Sequence, residues 1–343
     1  MTLQLITQSS TSFPPPPNPH EAGGELGGAL LGKGGSIVRP DWPEQSIAAP
    51  LLGSNVTVRE IWRCPGPGTR GESEGISWQR ANSLIYGVIE LDEADFHDST
   101  NGSRLQAASE EAYRRIFRLL DGQGVPNLWR VWNYFSRINA ESHGLERYRQ
   151  FNIGRQDAFI ACNRSVTGSL PAACAIGLTD GPLSVAFLAG ESPARVVENP
   201  RQMSAYHYPA AYGPRSPTFS RATLAALPGQ EVLFVSGTAS IVGHRSMHVG
   251  DAKAQCREAM ANVEAVVNEA NQSGPTVPFA LNQLSYRAYV RRPEDFPAIH
   301  EQMSTLGSDV EIAYVHADIC RTDLLVEIEA VASHALEAAD DLR

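Results

Sequence analysis

The chain has 343 residues, with 28 Lys and Arg against 38 Asp and Glu, a formal charge of −10. That acidity argues against nucleic acid as a partner. No apolar run approaches the roughly 18 residues of a membrane span, and the N-terminus lacks the basic stretch and apolar core of a secretory leader. The five cysteines (Cys64, Cys162, Cys174, Cys256 and Cys320) form no CxxC pair and no zinc or disulfide spacing, so a soluble cytoplasmic protein with no metal is expected.

Residues 1–45 carry FPPPPNP, GGELGG and GKGG, too little apolar surface to offset ordering entropy, and are expected to be flexible or loosely packed. GGALLGKGGS lacks the GxxxxGK[ST] spacing of a phosphate loop. From Leu51 the pattern becomes globular. VTVREIWRC alternates as a strand, WRCPGPGTRG is turn-rich, and SLIYGVIEL is a short apolar strand. SEEAYRRIFRLLDGQG then reads as an amphipathic helix starting at Ser109 and stopped by glycine. NLWRVWNYFSRIN concentrates aromatic residues, which predicts core for its tryptophans.

Residues 201–221, RQMSAYHYPAAYGPRSPTFSR, hold three arginines, three tyrosines, three prolines and no acid. Lysine occurs only at Lys33 and Lys253, so arginine, whose planar fork matches a carboxylate, makes up nearly all the basic residues. Arginines gathered in a cleft beside tyrosine hydroxyls form a receptor for a small polyanion. Beyond this segment, GQEVLFVSGTASIVGH is strand-like, DAKAQCREAMANVEAVVNEAN helical, LSYRAYVRR a strand, RPEDFPAIHEQMSTLG a helix, and DVEIAYVHADIC and LLVEIEAVA closing strands. This order predicts an α+β fold, mixed sheets with helices packed on one face, in two related halves. The expected division is a segment over 1–45, one half over 46–165 and a second over 166–343, with a cleft near their boundary. His244 and His248 stand four apart with no carboxylate motif, which argues against a metal site, and no cofactor signature is present.

Strand alternation puts Leu325, Glu327 and Glu329 on one face and Val326, Ile328 and Ala330 on the other. LFVSGTASI, the helix with Gln255 and AMANVEAVV, and VEIEAVA in that order resemble the YjgF/RidA fold from Gly229 onward. ERYRQFNIGR (Glu146 to Arg155) and NPRQMSAYHYPAAYGPRSPTFSRA (Asn199 to Ala222) resemble the chorismatases, which carry a YjgF-like C-terminal half. The resemblance implies chorismate, a dicarboxylate enol ether, as substrate, with Glu327 as proton donor. Cys320, seven residues earlier, resembles the cysteine of the aromatising members. The substrate-binding candidates are Arg149, Arg155, Tyr206, Tyr208, Tyr212, Arg215, Arg221 and Ser240.

The expected reaction yields 3-hydroxybenzoate and pyruvate, with 4-hydroxybenzoate as a second product. A hydrolytic route to a dihydroxycyclohexadiene carboxylate is the alternative within the family. A RidA-type imine deaminase and a metabolite-binding module are alternatives outside it. The deaminase would need an arginine about 15 residues before the glutamate, where this chain has Ile312. The protein is expected to act as a monomer or a trimer.

Overall fold

The computed structural model describes residues 2–10, 24–32, 39–98 and 102–335. A four-stranded sheet, in the order β1-β4-β2-β3, comprises β1 (Gln4–Ser10), β2 (Glu25–Leu31), β3 (Glu44–Ile47) and β4 (Thr57–Arg63). Much of the N-terminal segment is therefore strand rather than loose chain, because Leu3, Leu26, Leu31 and Ile47 bury completely in the core. Its glycines permit close approach: a Cβ on Gly28 would stand 2.0 Å from the Glu60 carbonyl oxygen. FPPPPNP and most of GKGG lie outside the described residues.

The first large sheet is built from β5 (Gly68–Ser73), β6 (Ile76–Ala81), β7 (Leu84–Leu91) and β8 (Asn127–Ser136). After a ribbon of β9 (Glu141–Ser142) and β10 (Leu145–Glu146) come β11 (Ala172–Leu178) and β12 (Leu183–Gly190). Its order is β11-β8-β12-β7-β6-β5, and it carries α1 (Arg104–Gln123) and α2 (Arg147–Ala161). The second sheet contains β13 (Arg195–Val197), β14 (Ala222–Leu227) and β15 (Gln230–Ala239). A ribbon of β16 (Ile241–Val242) and β17 (Arg245–Ser246) precedes β18 (Ser285–Val290), β19 (Ile312–His316) and β20 (Val326–Ala335). Its order is β13-β14-β15-β20-β18-β19, with α3 (Ala252–Gln272) and α4 (Phe296–Met303).

The two sheets share one plan. Three antiparallel strands lead to a long helix, a strand, a shorter helix and a parallel edge strand. A last strand then inserts into the middle, β12 between β8 and β7 and β20 between β18 and β15. The two related halves expected from the sequence are present. The first sheet closes at Gly190, so the change of half falls between Gly190 and Arg195 rather than at residue 165.

α1 begins earlier than expected. Ser103 is its N-cap, accepting from the Gln106 amide at 3.2 Å, while Ser109 lies inside the helix and donates to the Leu105 carbonyl at 2.6 Å. Gly124, at φ 67°, closes it. Ile116 and Phe117 of α1 and Phe151 of α2 pack on the outer face of the first sheet, against Val131, Phe135 and Phe187. Val263 and Val266 of α3 and Ile299 of α4 cover the second, against Leu224, Val235 and Ile328. The inner faces meet each other: Trp132, Tyr134 and Cys174 pack against Phe234 and Tyr289.

Glu327 and Glu329 point into this seam between the sheets, where both are buried. Leu325 does not share their face; it precedes β20 and joins Val326 and Ile328 in the helix-covered core. Trp129 and Trp132 are core, as expected.

Candidate active site

One end of the seam opens into a cavity of about 220 Å³. Glu146, Tyr148 and Arg149, at the start of α2, form one wall; Tyr208, Tyr212, Phe219 and Arg221 of the 199–221 segment form another. Gly237 and Ala239 from the end of β15 and Ile241 of β16 line it with Cys320, Arg321 and Glu327. A recess of about 30 Å³ continues inward past Glu327 and Cys320 to Arg155, Cys174 and Phe219.

Local structure explains the convergence. α2 buries an unusually polar face, Arg147, Gln150, Asn152, Arg155 and Gln156, because it lies between its own sheet and the cavity. Gly154 lets it press on α1, since a Cβ there would lie 2.1 Å from the Gln106 carbonyl oxygen. The proline-broken 199–221 segment is pinned by side chains instead of regular structure. Asn199 donates to the Asn262 carbonyl at 3.0 Å, Gln202 donates to the Ile241 carbonyl at 3.0 Å, and Arg201 pairs with Glu258 at 2.5 Å.

Glu327 is 4 % exposed, with no cation within 4.0 Å among the described residues. Burial first, and the like charge of Glu329 second, push its carboxyl up to about 8, against the smaller pull of Arg130, Arg221 and Arg291. At neutral pH it is therefore a carboxylic acid with a proton to give. A one-residue bulge of β15 between Val235 and Thr238 brings Gly237 over this acid. A Cβ on Gly237 would stand 1.9 Å from Glu327 Oε1, so any side chain there would displace the carboxyl. Cys320 is a neutral thiol rather than a thiolate, because burial and then Glu327 push it up to about 12.

The guanidiniums at the cavity are underused. Arg155 and Arg221 are 2 % and 4 % exposed, and neither forms an ion pair within 4.0 Å among the described residues, although the Glu198 carboxyl lies near enough to Arg221 to feel its charge. Arg221 donates to the Met203 carbonyl at 2.7 Å and to the Tyr208 hydroxyl at 2.9 Å, and Arg155 donates to Asn152 at 2.8 Å. The Nε atoms of both, and Nη2 of Arg321, are buried without a hydrogen-bond partner among the described residues. Arg321 stacks 4.3 Å from the Tyr212 ring and 5.3 Å from the Tyr208 ring while donating to the His244 carbonyl at 2.9 Å. Tyr212 itself donates to that carbonyl at 2.6 Å. Buried cations with free donors are costly unless an anion completes them, so this hollow is shaped for carboxylates.

Of the residues singled out from the sequence, Glu327, Cys320, Arg149, Arg155, Tyr208, Tyr212 and Arg221 meet at the cavity and its recess. Three do not line it. Arg215 is exposed and pairs with Asp157 at 3.3 Å. Tyr206 packs on its neighbour His207 and the first-half core. The Ser240 hydroxyl turns away to the Met247 carbonyl at 3.0 Å, since strand alternation gives the cavity its neighbours Ala239 and Ile241 instead. Arg321, Tyr148 and Gly237 also line the cavity and are not among the candidates the sequence singles out; Arg321 is the residue next to Cys320. His248 faces Glu258 at 3.3 Å, and among the described residues no cluster of metal-ligating side chains forms.

The model of the N-terminal region of FkbO/Hyg5-like chorismatases matches residues 60–189. A chorismatase of Streptomyces rapamycinicus is 38 % identical over 283 residues, covering 80 % of this chain and 82 % of the relative. A 3-hydroxybenzoate synthase of Streptomyces hygroscopicus is 38 % identical over 284 residues, 79 % of this chain and 80 % of the relative. A crystal structure of a chorismatase superposes with a TM-score of 0.84 at 30 % identity, covering 96 % of this chain and 98 % of that one. Likeness this extensive, running through both halves that wall the cavity, means that the chain belongs to the chorismatase family.

Proposed function

We propose that the enzyme converts chorismate to 3-hydroxybenzoate and pyruvate, with Glu327 as the proton donor. The observation that carries this reading is a carboxylic acid held protonated by burial at the wall of an arginine-lined cavity. Arg155, Arg221 and Arg321 have donors free for the two carboxylates of the substrate. Glu327 protonates the enolpyruvyl methylene and creates an oxocarbenium-like centre. The neighbouring ring hydroxyl then displaces the pyruvyl group within the molecule. Loss of a ring hydrogen as a proton restores aromaticity, so no water is consumed and the product atoms equal those of chorismate.

The hydrolytic alternative adds one water and stops at the dihydroxycyclohexadiene carboxylate. The presence of Cys320 on the same wall as Glu327 favours the aromatising branch, since a neutral thiol there can relay the ring proton.

Incubation of the purified protein with chorismate, followed by liquid chromatography, tests the proposal. 3-Hydroxybenzoate and pyruvate in equal amounts are expected. Unchanged chorismate would reject it, and the dihydrodiol acid as sole product would assign the hydrolytic branch. Cys320→Ala is expected to divert product toward the dihydrodiol acid; an unaltered ratio would remove the thiol from the mechanism.

A further inference from the structure

Two glutamates share the inner face of β20, and their surroundings differ. Glu329 is clamped: Arg130 donates to its Oε2 at 2.5 Å, Trp132 Nε1 to its Oε1 at 3.2 Å, and Arg287 lies 3.2 Å from the same Oε1. Arg287 also pairs with Glu60 of β4 and donates to the hydroxyls of Tyr134 and Tyr289. These pairs are buried, with side-chain exposures of 3 % and 7 % for Arg130 and Glu329. Two residues along a strand place their Cα atoms about 7 Å apart, with the side chains on the same face. The cations nearest the inner end of the seam are thus engaged before they can reach Glu327.

We propose that Glu329 is a positioning residue for the reaction, its fixed negative charge acting through Glu327 to keep the proton on that acid. It does so in two ways. It supplies a like charge at close range, and it occupies Arg130, a cation that would otherwise stabilise ionised Glu327.

The other groups around Glu327 do not replace this effect. Arg130 reaches toward it from β8, Cys174 from β11, and Tyr289 and Arg291 from β18 and the turn after it. α2 contributes Tyr148 and Arg155, while the segments before β14 and β20 contribute Arg221, Cys320 and Arg321. Glu146 and Asp323 are carboxylates on the cavity wall, but Glu329 is the carboxylate whose charge raises Glu327; the arginines favour the ionised form, and the tyrosines and thiols are neutral. Glu329 is the one fixed anion on the same strand face.

The inference rests on Glu327 being the proton donor, and the experiment separates the two. The alkaline limb of the pH profile of kcat is measured for wild type, Glu329→Gln and Glu329→Asp, alongside infrared titration of the Glu327 carboxyl in the free enzymes. Glu329→Gln is expected to move both limb and titration down by roughly one pH unit, and Glu329→Asp to restore them. A folded Glu329→Gln protein with both unmoved, or an Asp variant shifted as far as the Gln variant, would overturn the proposal. Should Glu329→Gln not fold, Trp132→Phe removes a single donor from Glu329, leaves its charge less compensated and is expected to move the limb upward; an unmoved limb there overturns it too. Failure of the underlying reading shows separately, as chorismate turnover by Glu327→Gln.

Discussion

The two halves follow one plan and have divided the chemistry between them. At the inserted strand the second half reads VEIEAVA, with Glu327 and Glu329 turned into the seam, whereas the first reads LSVAFLAG and carries no ionisable group. At the shorter helix the relation is reversed. α2 runs for 15 residues and brings Tyr148, Arg149 and Arg155 to the cavity or its recess, while α4 runs for 8 and buries Ile299 and Met303 in its own core. Glycines show the same split: Gly87 makes room for the Phe187 ring, and Gly237 makes room for the Glu327 carboxyl. The second half supplies the acid with Arg221 and Arg321, the first adds Tyr148, Arg149 and Arg155, and the two sets meet only where the inner faces come together.

The largest expected effect comes from removing what the second half alone supplies. Glu327→Gln should lower chorismate turnover by about a thousandfold or more while calorimetric affinity stays within a few-fold, since the lost proton acts on the barrier. Turnover near wild type would end the division of labour just described. The same variant tests the acid's state in the free enzyme. Because the folded value is raised from 4.5 to about 8, the native state holds a proton the unfolded chain releases across that window. Stability is therefore lost as pH rises through it. Chemical unfolding at pH 7 should find the Gln variant about 3 kcal/mol more stable than wild type, and the gap should vanish near pH 4.

Arg155→Ala probes the first half's share. It should weaken chorismate binding by about 2 to 4 kcal/mol, read by calorimetry, because a buried substrate carboxylate loses its partner. Arg215→Ala, outside the cavity, should stay within roughly 0.5 kcal/mol of wild type. Equal losses in the two would dissolve the distinction between cavity and surface arginines. Gly237→Ala should reduce kcat by about thirtyfold with little change in melting temperature, since the new methyl must push the acid aside. An unchanged kcat would show that the carboxyl works from another position.

The second half was readable because its elements alternate or repeat cleanly: α3 carries an apolar stripe, and β18 and β20 present one apolar and one polar face. The first half was harder. β11 and β12 are buried on both faces, so alternation vanishes, and β5 lies in a Gly- and Pro-rich stretch that reads as turn. α2 hides its helical period because the face it buries is polar. Within the site, composition identified the arginine and tyrosine segment as a whole, but pleat direction decided which members enter it. Ser240 and Ala239 differ by one position and point opposite ways. Arg201 was drawn off by Glu258, a partner 57 residues away that no local pattern reveals.

Sealing Glu327 beneath Gly237 also bears on how the catalyst resets. In the proposed mechanism Glu327 gives its hydrogen to the enol ether from the wall of the cavity that the ring would fill, which separates the spent acid from bulk solvent. In the aromatising branch the ring sheds a hydrogen ion of its own beside the Cys320 thiol, and that ion can refill the vacancy directly. Donor and recipient would then exchange one particle within a closed loop, and the enzyme would leave each cycle already primed for the next.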